Sequence, residues 1–247
     1  MVKPSFGVYL PLNFPCKEEF DKLTDVLSEC VDFFEIGIPS PKPKYDGPTI
    51  RVAHTLIASR GYPLGLEAVE SLPIAPKKPS IVMGYLEDIG LGKLAKVVEH
   101  VARLGYAGLL LPDLSFDYPD NLGDYVAAVK RVGLRPAFFA SSKFPHRWLT
   151  LYASHEPLFI YLGLQPSTGV ELPIAVERNV RLARKLVGDT FLLVGFAVRE
   201  PYQARRLIDA GADAVVVGSE VLRKVLREGV AGAKKFACMM WDAVHRR

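Results

Sequence analysis

Short apolar runs alternate with longer amphipathic stretches along the whole chain. The runs of strand length, rich in β-branched and aromatic residues, are Phe6–Leu10, Phe33–Ile38, Ile81–Tyr85, Gly108–Leu111, Pro136–Phe139, Phe159–Leu162, Phe191–Phe196 and Ala214–Val217. They are apolar at successive positions, which is typical of parallel strands that are covered by helices. The stretches between them place apolar residues three and four apart, as in Leu94, Val97, Val101 and Leu104, and so predict amphipathic helices.

Eight strand-and-helix units with no linker-like segment between them predict one domain over residues 1–247. Units of this kind close into a (β/α)8 TIM barrel, an α/β fold whose usual length is about 250 residues. A doubly wound open sheet is the alternative, and eight regular units make it the less favoured one. The sequence therefore predicts a single TIM barrel.

The charge of the chain is mildly positive and evenly spread. It has 31 Lys and Arg against 27 Asp and Glu, for a net charge of +4, and these residues form no basic block. Such a balance fits a small anionic substrate better than a nucleic acid. We find neither a signal peptide nor an apolar segment of membrane-spanning length, so we expect a cytoplasmic protein without membrane contact.

The cysteines and histidines give no sign of a metal site. The three cysteines (Cys16, Cys30 and Cys238) are odd in number and lack CxxC spacing. This pattern argues against a disulfide framework or a zinc site and favours a reducing cytosol. The histidines lack paired metal-ligand spacing and are interpreted as surface or helix-packing residues: His54, His100, His146, His155 and His245.

Two carboxylates are the strongest candidates for catalysis. Glu35 interrupts an apolar strand, and Asp46 follows in Asp-Gly-Pro-Thr just before a helical stretch. A buried carboxylate is costly unless it is paired or used, and two of them flanking a substrate suit acid–base chemistry. Two plainer interpretations stay open at this point: Asp46 caps the helix, and Glu35 pairs with a nearby Lys or Arg.

Further candidates lie where strands end, which is where active sites form in TIM barrels. Tyr85 ends the third predicted strand, Asp113 follows the fourth, and Tyr161 lies in the sixth. Aromatic packing is the alternative for the two tyrosines. For Asp113, a role as a cap or in fixing the loop is the preferred interpretation when the residue is considered alone.

The ends of strands seven and eight predict a phosphate site. Gly195 ends one strand, and Gly218 and Ser219 end the other and open a helix; Thr168-Gly169 after strand six adds further donors. Small residues let backbone N–H groups approach an anion, and a helix N-terminus contributes favourable partial charge. Phosphate sites in TIM barrels commonly use the loops after strands seven and eight.

Taken together, these motifs resemble one family. The segment Phe34-Glu35-Ile36-Gly37-Ile38-Pro39, followed by Asp46-Gly47-Pro48-Thr49-Ile50, resembles the signature of the tryptophan synthase alpha subunit. Leu111–Leu114, Thr168-Gly169, Val194–Phe196 and Val217–Ser219 follow in the matching order. The resemblance implies a single (β/α)8 barrel and a lyase of tryptophan biosynthesis. Its reaction would be the retro-aldol cleavage of indole-3-glycerol phosphate to indole and glyceraldehyde 3-phosphate.

The resemblance also implies residue roles. Glu35 would be the general acid–base at indole C3, Asp46 would hold the indole N–H, and Tyr161 would position both Glu35 and the substrate. Substrate contacts would come from Tyr9, Tyr85, Asp113, Thr168, Gly169, Gly195, Phe196, Ala197, Gly218 and Ser219. Tyr9 and Tyr85 would line the indole end, and the small residues would surround the phosphate. No cofactor is implied, because pyridoxal phosphate belongs to the partner beta subunit, which receives indole through a tunnel.

The loop at residues 39–45 departs from the family pattern. It reads Pro-Ser-Pro-Lys-Pro-Lys-Tyr, in which Lys42 replaces an Asp and Lys44 an aliphatic residue. Glu87 stands where the family usually has Asn, and Ala197 replaces a glycine. In the family this loop touches the beta subunit, so the changes concern the interface more than the chemistry. They leave open a stand-alone lyase, a regulatory barrel that binds a phosphate ligand, or another phosphate-binding barrel enzyme.

Overall fold

The computed structural model describes residues 3–141, 146–164, 176–196 and 198–246. Within these residues, eight parallel strands form a closed barrel in which each strand pairs with the next and the eighth pairs with the first. The strands are β1 (Ser5–Pro11), β2 (Phe33–Gly37), β3 (Ser80–Met83), β4 (Gly108–Leu110), β5 (Ala137–Ser141), β6 (Phe159–Gly163), β7 (Leu192–Gly195) and β8 (Ala214–Val217). The predicted TIM barrel is confirmed, and the open sheet is wrong because β1 and β8 close the ring.

Helices follow the strands around the outside of the barrel. They are α1 (Lys17–Leu27), α2 (Pro48–Ser59), α3 (Gly65–Glu70), α4 (Leu86–Ile89), α5 (Leu94–Arg103), α6 (Leu122–Arg131), α7 (His146–Ser154), α8 (Val176–Val187), α9 (Pro201–Asp209) and α10 (Ser219–His245). Helix α10 is interrupted at Gly229, whose φ is 66°. Among the described residues, no helix combines the length and the apolar character that a membrane crossing requires.

Helix α5 shows why the apolar spacing predicts the fold. Its buried residues are Leu94, Val97, Val98 and Val101, which lie on one face at spacings of three and four. Fully burying one such side chain stabilises the fold by about 1.5–3 kcal/mol, which is enough to hold a short helix against a sheet. The polar face of the helix is left toward solvent.

One expectation from the sequence is wrong, because Cys30 and Cys238 form a disulfide bond. Their Cα atoms lie 4.8 Å apart although the residues are 208 positions apart in the chain. Closure of the barrel brings the turn Ser28–Cys30 of the first unit next to α10 of the last. Spacing along the chain carries no information about such a contact. Cys16 is the free cysteine.

Candidate active site

Glu35 lies at the centre of β2 and points into the barrel. Its side chain is 1 % exposed, and its neighbours in register are Tyr9 on β1 and Ile81 on β3. Burial, with a further contribution from the negative charge of Asp46, raises the pKa of the Glu35 carboxyl to about 8. No Lys or Arg in the described part of the chain pairs with Glu35, so the ion-pair interpretation is wrong. The side chain is thus a buried carboxylic acid that holds its proton at neutral pH.

The carboxylate of Asp46 is buried and is held by the side chain of Tyr85. It is 4 % exposed, and the Tyr85 hydroxyl donates a hydrogen bond of 2.8 Å to its Oδ2. Helix α2 begins after its N-cap residue Gly47, one position beyond Asp46, so capping by Asp46 stays an open interpretation. Arg51 Nε donates to the main-chain oxygen of Asp46 at 2.7 Å, which fixes the backbone at this point.

The side chains of Tyr9 and Tyr161 lie beside the carboxylates in space that glycines on the neighbouring strands leave open. A Cβ on Gly37 would overlap the Tyr9 ring and hydroxyl, and a Cβ on Gly195 would overlap the Tyr161 hydroxyl. These glycines let each phenol lie across the next strand of the barrel. Burial raises the pKa of both Tyr9 and Tyr161 well above the usual value, so both stay neutral and can donate hydrogen bonds.

The ends of β7 and β8 supply features of an anion site. Phe196, directly after β7, has a φ of 71°, a strained backbone conformation that clusters at functional sites. Gly218 precedes α10, and Ser219 is the first residue of that helix. Ser219 Oγ is buried and has no hydrogen-bond partner among the residues that the structure describes. The predicted contacts Thr168, Gly169 and Ala197 lie outside those residues.

A cavity joins these groups. From the sequence predictions, it brings together Tyr9, Glu35, Asp46, Tyr161, Phe196, Gly218 and Ser219. Its other lining residues are Ile50, Met83, Leu110, Pro112, Phe139, Val198, Arg199, Val216, Val217, Glu220 and Arg223. The carboxyl groups of Glu35 and Asp46, two neutral phenols and the N-terminus of α10 therefore face one largely apolar cavity.

Two predicted contacts have other observed partners. Tyr85 lies two residues beyond the end of β3, outside the cavity wall, and binds Asp46 instead. Both carboxylate oxygens of Asp113 accept backbone hydrogen bonds, from Leu86 at 2.8 Å and Glu87 at 2.9 Å. Asp113 thus caps α4, in agreement with the loop-fixing interpretation. Substrate contact by either residue stays a prediction.

Sequence reasoning missed several wall residues, although signals for some were present. Met83, Leu110 and Phe139 lie near the ends of β3, β4 and β5, so the rule that marked Glu35 also applies to them. Arg223 follows Ser219 by one helical turn, and its guanidinium pairs with Glu220. That spacing alone could have placed Arg223 beside the predicted phosphate site.

Side-chain contacts join the unusual loop 39–45 to α4 and to the loop that follows β4. Lys44 Nζ pairs with Glu87 and, at 3.1 Å, with Asp117. The Tyr45 hydroxyl donates to Asp117 at 2.8 Å, and the Tyr45 ring stacks on Phe116 with centroids 4.6 Å apart. We call Lys44, Tyr45, Glu87, Phe116 and Asp117 the latch. Lys44 and Glu87, two of the positions where the sequence is expected to depart from the family that it resembles, thus pair with each other.

Comparison with known proteins gives a consistent result. The family model described as tryptophan synthase alpha chain matches residues 2–241. The chain is 30% identical to the tryptophan synthase alpha chain of Sulfurisphaera tokodaii over 228 residues, which cover 91% of each chain. It is also 30% identical to that of Saccharolobus solfataricus over 239 residues, which cover 94% of this chain and 95% of the relative. A tryptophan synthase structure from Mycobacterium tuberculosis superposes with a TM-score of 0.85 at 26% identity, covering 99% of this chain and 94% of the other.

Proposed function

Because the chain belongs to the tryptophan synthase alpha chain family, we propose that Glu35 and Asp46 carry out the family's lyase reaction in tryptophan biosynthesis. That reaction cleaves indole-3-glycerol phosphate into indole and glyceraldehyde 3-phosphate. The observation that carries the proposal is the buried Glu35 acid, with a pKa of about 8, facing a cavity that Asp46 also lines.

Glu35 supplies both proton transfers. Its carboxyl group first donates a proton to C3 of the indole ring, because indole cannot leave as a carbanion. The resulting carboxylate then accepts the proton of the glycerol hydroxyl next to the scissile bond. As the C–C bond breaks, its electrons return to the ring and the hydroxyl carbon becomes an aldehyde. A group with a pKa near the working pH suits both directions of transfer.

Asp46 stabilises the charge that this protonation creates. Protonation at C3 places positive charge on the ring nitrogen, and a carboxylate that accepts the indole N–H offsets that charge in a site of low polarity. The hydrogen bond from Tyr85 holds the carboxylate in place before substrate arrives. Tyr161, which lines the same cavity, positions Glu35 and the substrate.

The phosphate of the substrate binds where β7 and β8 end. Backbone N–H groups around Gly195, Phe196, Gly218 and Ser219, with the N-terminus of α10, form the cradle. Thr168, Gly169 and Ala197 complete the proposed set. The unpartnered Ser219 hydroxyl supports this placement, because it needs an acceptor such as a phosphate oxygen.

A beta subunit is the proposed partner, and the cytoplasm is the proposed compartment, as for a biosynthetic enzyme of this family. The latch favours a lyase that also works alone, because contacts within the chain already hold the loop that carries Asp46. We propose that the partner adds less to the rate here than it would for an unlatched loop.

The test is release of indole from indole-3-glycerol phosphate by the purified chain, with and without a beta subunit. Measurable indole in either case, with glyceraldehyde 3-phosphate in equal amount, supports the assignment. Activity that is already high alone supports the stand-alone form. The absence of both products in both cases would contradict the proposed function and leave a regulatory phosphate-binding barrel.

Replacing Ser219 by Asp is expected to raise KM for indole-3-glycerol phosphate by at least tenfold. A second negative charge about 4 Å from the phosphate costs about 4 kcal/mol per pair of unit charges at an effective dielectric constant of 20. Asp is also well accepted at a helix N-terminus, so the fold should persist. Ser219→Asn is the matched uncharged control for steady-state kinetics; equal KM values in the two variants would remove the phosphate from this site.

A further inference from the structure

His54 lies behind Asp46 on the inner face of α2. Its side chain is 3 % exposed, and its Nε2 is 3.5 Å from Asp46 Oδ2. Nε2 has no hydrogen-bond partner among the described residues. This buried polar atom therefore faces the proposed catalytic carboxylate without a formed hydrogen bond. The sequence predicts only a packing histidine here, because neither its spacing nor its neighbours indicate chemistry.

The other ring nitrogen determines which proton His54 carries. The backbone N–H of Ser40 donates to Nδ1 at 3.0 Å, so Nδ1 must hold a lone pair. The neutral ring then carries its hydrogen on Nε2, toward Asp46. Ser40 is itself fixed, since its hydroxyl accepts the Lys42 N–H at 2.9 Å and bonds to the Asp88 carboxylate. The loop thereby sets the histidine tautomer.

Two side-chain donors lie next to the same carboxylate oxygen of Asp46. The Tyr85 hydroxyl and His54 Nε2 each approach Oδ2, which leaves Oδ1 for the N–H of a substrate ring. At 3.5 Å the His54 contact is longer than a formed hydrogen bond, and such contacts in unliganded sites often tighten only when substrate is bound. A shift of about half an ångström would complete it.

We propose that His54 is a positioning residue for Asp46. Its Nε2–H donates to Oδ2 when the indole N–H engages Oδ1, and this aims the carboxylate at the ring nitrogen as positive charge develops there. The inference rests on the proposed function, because it gives His54 a role only if Asp46 acts on the substrate. A purely structural His54 would instead fill space behind the loop.

Two amide variants separate the two ring nitrogens. His54→Asn keeps an acceptor near Nδ1 for Ser40 and loses the donor to Asp46. His54→Gln places an N–H donor near Nε2 and loses the acceptor for Ser40. Each variant is made alone and together with Asp46→Asn, and kcat, KM and melting temperature are measured for all of them.

We expect His54→Asn to lower kcat about ten- to a hundredfold with KM within a factor of about three, as for a hydrogen bond to a charged group that matters in the transition state. His54→Gln should restore kcat to within about fivefold of the parent chain. In the Asp46→Asn background, His54→Asn should change kcat less than about twofold, because the residue acts through Asp46.

Different results would overturn the inference in distinguishable ways. Equal losses for the Asn and Gln variants that follow the melting temperature would make His54 a packing residue. If His54→Asn lowered kcat by the same factor in the parent chain and in the Asp46→Asn variant, His54 would not act through Asp46. The inference would then be wrong, while the proposed function would stand. Full activity of the Asp46→Asn variant itself would overturn the proposed role of Asp46 and this inference with it.

Discussion

Replacing Glu35 by Gln is expected to lower indole release from indole-3-glycerol phosphate by about a hundred- to ten-thousand-fold. The amide has nearly the same shape, but it neither donates an acidic proton to indole C3 nor accepts the proton of the glycerol hydroxyl. Binding of the substrate should persist, because the phosphate cradle is untouched. Steady-state turnover and equilibrium binding, measured on the same preparation, separate the two effects.

Glu35→Asp is the companion variant, since it keeps a carboxyl group but withdraws it by one methylene. It should retain more activity than the Gln variant and less than the parent chain. Turnover of the Gln variant within about tenfold of the parent chain would show that Glu35 is not the acid–base.

Replacing Glu35 by Gln is also expected to stabilise the folded chain at alkaline pH. Folding raises the pKa of Glu35 from its ordinary value of 4.5 to about 8, so the folded state binds this proton more tightly than the unfolded state. Stability from this group is therefore fully present below about pH 4.5 and falls as pH rises toward 8. The difference corresponds to about 5 kcal/mol, as an order of magnitude, lost above pH 8.

The Gln variant lacks this ionisation, so its free energy of unfolding should exceed that of the parent chain by an amount that grows between pH 5 and pH 8. Denaturant unfolding of both proteins at pH 5, 7 and 9 measures the difference, in which titrating groups that do not interact with Glu35 cancel. A difference that does not change with pH would contradict the raised pKa. The expected gain would mean that the buried acid at position 35 lowers the stability of the chain at alkaline pH.

Loss of the disulfide between Cys30 and Cys238 is expected to lower the stability of the folded chain. The bond joins residues 208 positions apart, so it restricts almost the whole unfolded chain. In the chain-entropy model a loop of this length corresponds to about 5 kcal/mol, and measured values often fall below the model. Cys30→Ser should therefore lower the melting temperature by about 10 °C without reductant.

Cys16→Ser is the matched control, because Cys16 is the free cysteine and its replacement breaks no cross-link. A reductant should bring the parent chain to the melting temperature of the Cys30→Ser variant and leave that variant unchanged. Equal melting temperatures for all three proteins without reductant would contradict the cross-link.

The pattern of apolar positions was sufficient to predict the barrel and much of its site. Each β strand must bury both faces and each helix only one, so local periodicity alone marks the eight units. Since every parallel strand ends at the same rim, strand order also brought Glu35, Tyr161 and Ser219 to one cavity. Asp46 has no periodicity to place it, and it was predicted instead from its position in the loop between the strand of Glu35 and the following helix.

Contacts between loops were decided only by the tertiary structure. The pairing of Lys44 with Glu87, the bond from Tyr85 to Asp46 and the disulfide between Cys30 and Cys238 all join segments that are distant in sequence. The periodicity of apolar residues predicts which face each segment buries, but it does not predict which segments contact each other. Those contacts follow from the closure of the barrel, which sets the distances between loops after the strands have paired.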